Sequence, residues 1–204
     1  MAKNNFDRKV IDDFGNEWES YDQSSVDSRE LKKQFSDYFK LFSWEEKITS
    51  GTGVDFGCGT GRWAKFVSEK VGMLICIDAS SKAVNVARRN LLDKEKCYII
   101  QGRIDSLPIL DSSLDFAYSL GVLHHLPDTE NAIRKCTKKL KPGAPFLIYL
   151  YYAFDNRPYW YLFIWKFADI IRKIISKTPF RIKYILSNII SIIIYYPLAR
   201  LSFL

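Results

Sequence analysis

The amino-acid sequence predicts an α/β fold: a doubly wound, mostly parallel sheet followed by a helical C-terminal extension. Three observations carry this expectation. Strand-like and helix-like periods alternate five times between residues 53 and 151. The second strand candidate, Met73 to Ile77, is a continuous apolar run, as expected of a strand buried on both faces. A glycine-rich turn, Gly57-Cys58-Gly59-Thr60-Gly61, follows the first strand candidate.

Residues 1–27 are acidic, polar and aromatic in turn and are hard to assign to an element. Leu31, Phe35, Tyr38, Phe39 and Phe42 recur at three- and four-residue spacing and predict a helix over 28–42. Gly53 to Phe56 predicts a short strand, and Trp63, Phe66 and Val67 mark one face of the next helix. Met73 to Ile77 is the second strand. Ser80 and Ser81 can cap a helix carrying Ala83, Val84, Ala87 and Leu91. Cys97 to Ile100 is the third strand, Leu107-Pro108 a loop, and Leu114 to Leu120 the fourth strand. Asp128 can cap a helix that runs to Leu140 and is stopped by Lys141-Pro142-Gly143. Pro145 to Tyr151 is the fifth strand. Right-handed crossovers bring helices onto both faces of such a sheet.

The length of 204 residues suits one sizeable domain. With 48% hydrophobic and 26% charged residues the chain can bury a core and is not a disordered tail. The net charge of +7 first suggests nucleic acid. Its distribution argues otherwise, because residues 151–204 hold eight Lys/Arg against two Asp/Glu, leaving +1 for the other 150. Cys58, Cys76, Cys97 and Cys136 lack zinc-site spacing and read as reduced core cysteines. The adjacent His124 and His125 are poorly spaced for one metal, so no metal site is expected. The polar N-terminus is no signal peptide, and a cytoplasmic protein is expected.

Glycines after the first strand let the backbone turn sharply and let a ligand approach closely. The following helix presents its positive end. A nicotinamide-type loop would read G-x-G-x-x-G, but Arg62 stands where its last glycine belongs. No Gly-Lys-Ser/Thr follows, so a Walker loop is also excluded. Asp78 ends the second strand, 21 residues after Gly57, where a carboxylate can accept both hydroxyls of a ribose.

These residues together resemble the class I S-adenosylmethionine-dependent methyltransferases, in particular the small-molecule branch with the "methyltransferase 11" type of domain. Asp55-Phe56-Gly57-Cys58-Gly59-Thr60-Gly61 looks like its motif I, and Ile77-Asp78 like its ribose site. Leu107-Pro108, Asp115-Phe116, Leu123-His124-His125-Leu126-Pro127-Asp128 and Leu140-Lys141-Pro142-Gly143-Ala144 are similar to later runs of that branch. Phe14-Gly15-Asn16-Glu17-Trp18 and the segment from Tyr151 to Pro158 resemble a subgroup of it.

The resemblance implies a Rossmann-like sheet of order 3-2-1-4-5 and methyl transfer from S-adenosylmethionine, with S-adenosylhomocysteine as product, to a small-molecule or lipid-like acceptor. It implies that the loop Gly57, Cys58, Gly59, Thr60 and Gly61 faces the methionine and ribose moieties, that Asp55 helps hold the amino group, often through water, and that Asp78 binds the ribose hydroxyls with Ala79 beside the cofactor. It further places Ser119 and Leu120 beside the cofactor. The adenine edge departs from the family pattern: Gly102-Arg103-Ile104 stands where Gly-Asp-Ala is usual, and Arg103 cannot accept a proton from the adenine amino group. Asp105 or the backbone at Ile104 can serve instead. His124 and His125 follow strand four at the ligand-binding end of the sheet; one of them, with His125 preferred, is a general base, or both only tie the turn together. Glu17, Trp18 and Tyr21 either close over the cofactor or simply pack an N-terminal helix. A cofactor-binding module without turnover is the alternative reading.

Three regions are expected: an N-terminal helical cover over 1–47, the cofactor-binding core over 48–152, and an apolar, basic, helical cap over 153–204. The family's usual C-terminal hairpin has no counterpart after Tyr152, which suggests a truncated chain or a tail over the exposed edge of strand five. In the tail, residues 158–177 predict an amphipathic helix, and Thr178-Pro179 the cap and first turn of another. Tyr184 to Ala199 lacks charge, but it is short of the roughly 20 residues of a membrane span and contains Pro197. Two readings stay open: a cap over the substrate side of the sheet, or an element resting peripherally on an anionic membrane.

Overall fold

The computed structural model describes residues 5–23, 25–151 and 157–201, apart from the side chains of Asp105, Phe180 and Leu201. The chain divides into two compact units, residues 1–151 and 152–204. Of the expected Tyr151-to-Pro158 segment, residues 152–156 lie outside the described residues.

The first unit is Rossmann-like. Helices α1 (Arg8–Ser20), α2 (Ser28–Tyr38) and α3 (Glu46–Thr49) precede strand β1 (Thr52–Phe56). Then α4 (Ala64–Val67), β2 (Met73–Asp78), α5 (Ser81–Asn90), β3 (Cys97–Gln101), β4 (Phe116–Leu120), α6 (Thr129–Lys139) and β5 (Phe146–Tyr149) follow. The five strands pair in parallel in the order β3-β2-β1-β4-β5, as expected. β1 sits at the centre, with Asp55 in register with Cys76 of β2 and with Tyr118 of β4.

Alternation along the strands feeds two apolar layers. Val54, Phe56, Ile77 and Ala117 join Leu123, Ala132 and Cys136 on one face. Leu74, Cys76, Phe116 and Tyr118 meet the aromatic set of α2 and its C-terminal turn on the other. Both faces are therefore covered, which is why Met73 to Ile77 of β2 reads as an unbroken apolar run. The caps follow the sequence closely. The Ser80 side chain accepts the Ala83 N–H, and Asp128 Oδ1 accepts the Asn131 N–H at 2.9 Å.

Several boundaries differ from expectation. The helix predicted to reach residue 42 stops at Tyr38; Phe39 closes it, and a turn then directs Phe42 onto Phe116, ring centres 6.0 Å apart. The apolar spacing persists past the helix because burial, not helix geometry, selects those residues. The fourth strand begins at Phe116 rather than Leu114, since Leu114 pairs in an isolated bridge with Leu140. The fifth is shorter than Pro145 to Tyr151.

The second unit is helical: α7 (Tyr159–Ser176), α8 (Phe180–Ile190), a π-helical turn (Ser191–Tyr195) and α9 (Tyr196–Leu201). Thr178 does not cap α8. Its hydroxyl donates to the Ile175 carbonyl at 2.7 Å and closes α7, leaving Pro179 as the residue before α8.

Candidate active site

The site forms at the carboxyl ends of β1, β2 and β4, where open parallel sheets bind ligands. As β1 ends, Gly57, Gly59 and Gly61 adopt φ of 86°, 53° and 78°, a region that side chains with a Cβ avoid. The Gly57 and Cys58 amides both donate to the Ile77 carbonyl, at 2.8 and 2.9 Å, tying the loop to β2. Asp78 then draws the loop and the next helix together. Its Oδ2 accepts the Gly59 N–H and its Oδ1 the Ser80 N–H, each at 2.9 Å. Burial raises the Asp78 pKa, and the amides of Ser80, Gly59 and Ala79 offset part of that rise.

A cleft opens over this loop. Gly57, Cys58, Gly59, Thr60, Asp78, Ala79, Arg103, Ile104, Leu120 and His125 line it, so ten of the residues expected at the site share one space. The others stand elsewhere. Gly61 is a packing position: a Cβ there would meet Leu91 Cδ1 at 2.7 Å. Ser119 is fully buried and donates to the Phe56 carbonyl at 2.8 Å. His124 and Asp55 do not reach the cleft wall. The side chain of Asp105 lies outside the described residues.

Asp55 is 2% exposed. Burial lifts its pKa to about 8, against the opposing pull of Tyr118 and Arg62. Asp55 Oδ2 and Tyr118 Oη are both buried and make no hydrogen bond of ordinary geometry among the described residues, although the Tyr118 hydroxyl is near enough to favour the charged form of Asp55. A buried acceptor of this kind is costly unless a further group satisfies it.

The N-terminal element roofs the cleft. Phe6, Val10, Phe14 and Trp18 recur every fourth residue and all line it. The Trp18 indole lies over Gly59, where a Cβ would come within 3.3 Å of it. Phe14 meets the His125 ring edge-on at 4.8 Å, and the Arg103 guanidinium sits 4.2 Å from the centre of the Phe6 ring. Both ends of the roof are anchored. Asn5 brackets the Asp128 backbone, donating to its carbonyl at 2.8 Å and accepting its N–H at 2.7 Å. Lys82 donates to Asn16 at 2.9 Å and pairs with Glu19 at 2.6 Å. Of the three residues expected either to cover the cofactor or to pack a helix, Trp18 faces the cleft while Glu17 and Tyr21 do not. The contributions of Phe6, Val10 and Phe14 went unread in the sequence, although their four-residue spacing was present there.

The two histidines share a 3-10 turn after β4 but differ in setting. His125 lines the cleft, and burial, reinforced by His124, lowers its pKa to about 4. It is neutral at physiological pH. His124 stacks on His125 and Tyr151, at 4.0 and 4.2 Å, and both its ring nitrogens are buried without partners among the described residues. Arg62, also unread as a site residue, lines the cleft with its guanidinium 4.3 Å from the centre of the Trp63 ring. Burial lowers its pKa, while Tyr38, Asp55 and Tyr151 favour its charged form.

Comparison with known proteins follows this geometry. Residues 54–148 match the family described as "Methyltransferase domain". Phosphoethanolamine N-methyltransferase 2 of Caenorhabditis elegans is 32% identical over 103 residues, covering 49% of this chain and 24% of that protein. The ubiquinone biosynthesis O-methyltransferase of Idiomarina loihiensis is 30% identical over 96 residues, covering 45% and 38%. The chain thus spans well under half the length of either. Among solved structures, the YcgJ protein of Bacillus subtilis is 27% identical with a TM-score of 0.50, over 60% of this chain and 50% of that one. An S-adenosylmethionine-dependent methyltransferase structure from Methanococcus maripaludis aligns over 85% and 87% of the two chains with a TM-score of 0.54; at 20% identity it speaks to the fold.

Proposed function

We propose that this chain, whose residues 54–148 are a class I S-adenosylmethionine-dependent methyltransferase domain, transfers a methyl group from that cofactor to a small-molecule or lipid-like acceptor. Asp78 carries the assignment. Its carboxylate is held by the Gly59 and Ser80 amides at the cleft wall and retains acceptor capacity for a ribose diol. The remaining residues suit the same ligand. Asp55, which does not line the cleft, suits the ammonium of an amino acid only through an intervening water, and the apolar side chains of Phe6, Ile104 and Leu126 suit a purine. Arg62 supplies positive charge for a carboxylate of the cofactor or an anionic group of the acceptor.

When bound, the cofactor supplies a methyl group already activated on a sulfonium, so alignment and exclusion of water are the chief demands on the protein. The α1 roof excludes water: Phe14 and Trp18 close the cleft directly above the glycine loop. His125 is the histidine of the pair that faces the cleft, and we assign it the proton-accepting role. Burial keeps its lone pair free at neutral pH. It is a weak base, suited to a hydroxyl or amine whose proton loosens as the new bond forms. The named relatives act, by their names, on phosphoethanolamine and in ubiquinone biosynthesis, which supports a small or lipid-like acceptor.

Calorimetric titration with S-adenosylmethionine, S-adenosylhomocysteine and NAD tests the assignment. Binding of the first two and not the third is expected, together with transfer of labelled methyl to a small molecule or lipid of a cell extract. Failure to bind either sulfur compound overturns it. Binding without transfer selects the cofactor-binding module instead.

A further inference from the structure

We infer that residues 157–201 bind an anionic lipid bilayer, with the helical rod from Phe180 to Leu201 entering its apolar layer. The charge is one-sided: these 45 residues carry eight Lys/Arg and a single acid, Asp169. Asp169 is itself held by Arg172 and Lys173, at 2.6 and 2.8 Å. Six of the eight cations lie between Lys166 and Lys183, at the amino end of the rod, where anionic headgroups would meet them. Helix α7 sets exposed Trp160, Phe163, Phe167 and Ile174 among those charges. Basic helices that lie in a membrane interface share this composition.

The rod has a different character. Helix α8, the π-helical turn and α9 continue without a break. Pro197 argues against a long helix in the sequence, yet it stands just after the π turn, where the hydrogen-bond ladder is already rearranged and its missing N–H is tolerated. From Tyr184 to Ala199 there is no charge. Within Arg181–Arg200 an 18-residue window has a mean hydropathy of 1.5 and is 0% buried. At 1.5 Å per residue the 16 uncharged residues extend about 24 Å, enough to enter a hydrocarbon layer about 30 Å thick without crossing it. Ser187, Asn188 and Ser191 spread over about 100° of the helix, and apolar residues, mostly isoleucines, occupy the wider remaining arc. A protein surface covers one face of a helix; an apolar arc wider than that leaves part of itself needing an apolar medium. Tyr184 near one end, and Tyr195 and Tyr196 near the other, stand where aromatic residues mark membrane boundaries.

Flotation of the full-length chain tests this, using phosphatidylcholine vesicles with and without phosphatidylglycerol. The chain is expected to float with the anionic vesicles and to stay bound when salt is raised afterwards. Ile189→Lys with Ile193→Lys should abolish salt-resistant binding. Arg172→Glu with Lys173→Glu should weaken capture by about tenfold or more. Unchanged S-adenosylhomocysteine affinity would show that the first unit of each variant is folded, and vesicle binding by itself requires no methyl transfer. Failure of the wild-type chain to float with anionic vesicles overturns the inference. So does flotation that is unaffected by the isoleucine substitutions, or a soluble oligomer that hides the tail and ignores vesicles.

Discussion

Gly15 of α1 lies directly on Ser80, the residue that caps α5: a Cβ at position 15 would fall 2.2 Å from the Ser80 hydroxyl. The roof of the cleft and the helix that follows Asp78 therefore meet at a point that admits no side chain. Gly15→Ala should lift α1, cost about 1–3 kcal/mol of stability, and weaken S-adenosylhomocysteine binding. Ser80→Ala removes the clashing oxygen, leaving a Cβ 3.4 Å away. The double variant should thus bind better than the sum of the two single losses predicts. Calorimetry on the four proteins decides, and strict additivity would show that the contact does not position the roof.

Asp78 holds both the loop and the helix through charge-assisted hydrogen bonds. Asn has one acceptor oxygen and would turn an amide toward a backbone N–H. Asp78→Asn should reduce cofactor affinity about 10- to 100-fold, the worth of one such bond. An unchanged dissociation constant with a folded protein would remove Asp78 from the site.

Asp55 and His125 set opposite pH dependences. Asp55 has a pKa raised to about 8 in the fold, so the folded protein binds its proton more tightly than the unfolded chain does. Its contribution is full below about pH 4 and is lost as pH rises through 8. His125, lowered to about 4, contributes stability above its unfolded pKa of about 6.5, lost as pH falls toward 4. Urea unfolding of Asp55→Asn should show less loss of stability from pH 6 to pH 9 than the wild type. In addition, a cofactor ammonium held toward Asp55 through water would favour its charged form. Binding near pH 7 should then release protons, seen as a buffer-dependent enthalpy, and Asp55→Asn should abolish that release.

His125→Ala should lower turnover about 100-fold or more while leaving S-adenosylhomocysteine affinity within a few-fold. His124→Ala should act mainly on stability, because that ring packs between His125 and Tyr151 away from the cleft. Label transfer from S-adenosylmethionine into extract separates the two, and near-normal turnover by His125→Ala would leave the histidine as a wall of the cleft only.

Much of this architecture was legible without coordinates. The strands were readable because a sheet covered on both faces needs mostly apolar runs between turn signals, and the caps at Ser80 and Asp128 because a cap is a contact between near neighbours in sequence. The five-residue glycine loop and Asp78 were readable for the same reason: each occupies a defined place at a strand end. Less was visible at residues 6–18. Their four-residue ladder, Phe6, Val10, Phe14 and Trp18, has no meaning until Gly15 seats it on Ser80, 65 positions away.

By itself, then, the sequence determined the order of elements, the turn after β1 and the acid after β2, all of which rest on local backbone preference and hydrophobic period. Only the tertiary structure decided which histidine faces the cleft, that Asp55 holds its proton, and that α1 forms the roof. Those properties depend on desolvation and on contacts between segments far apart in the chain, and neither is a property of any short stretch of residues.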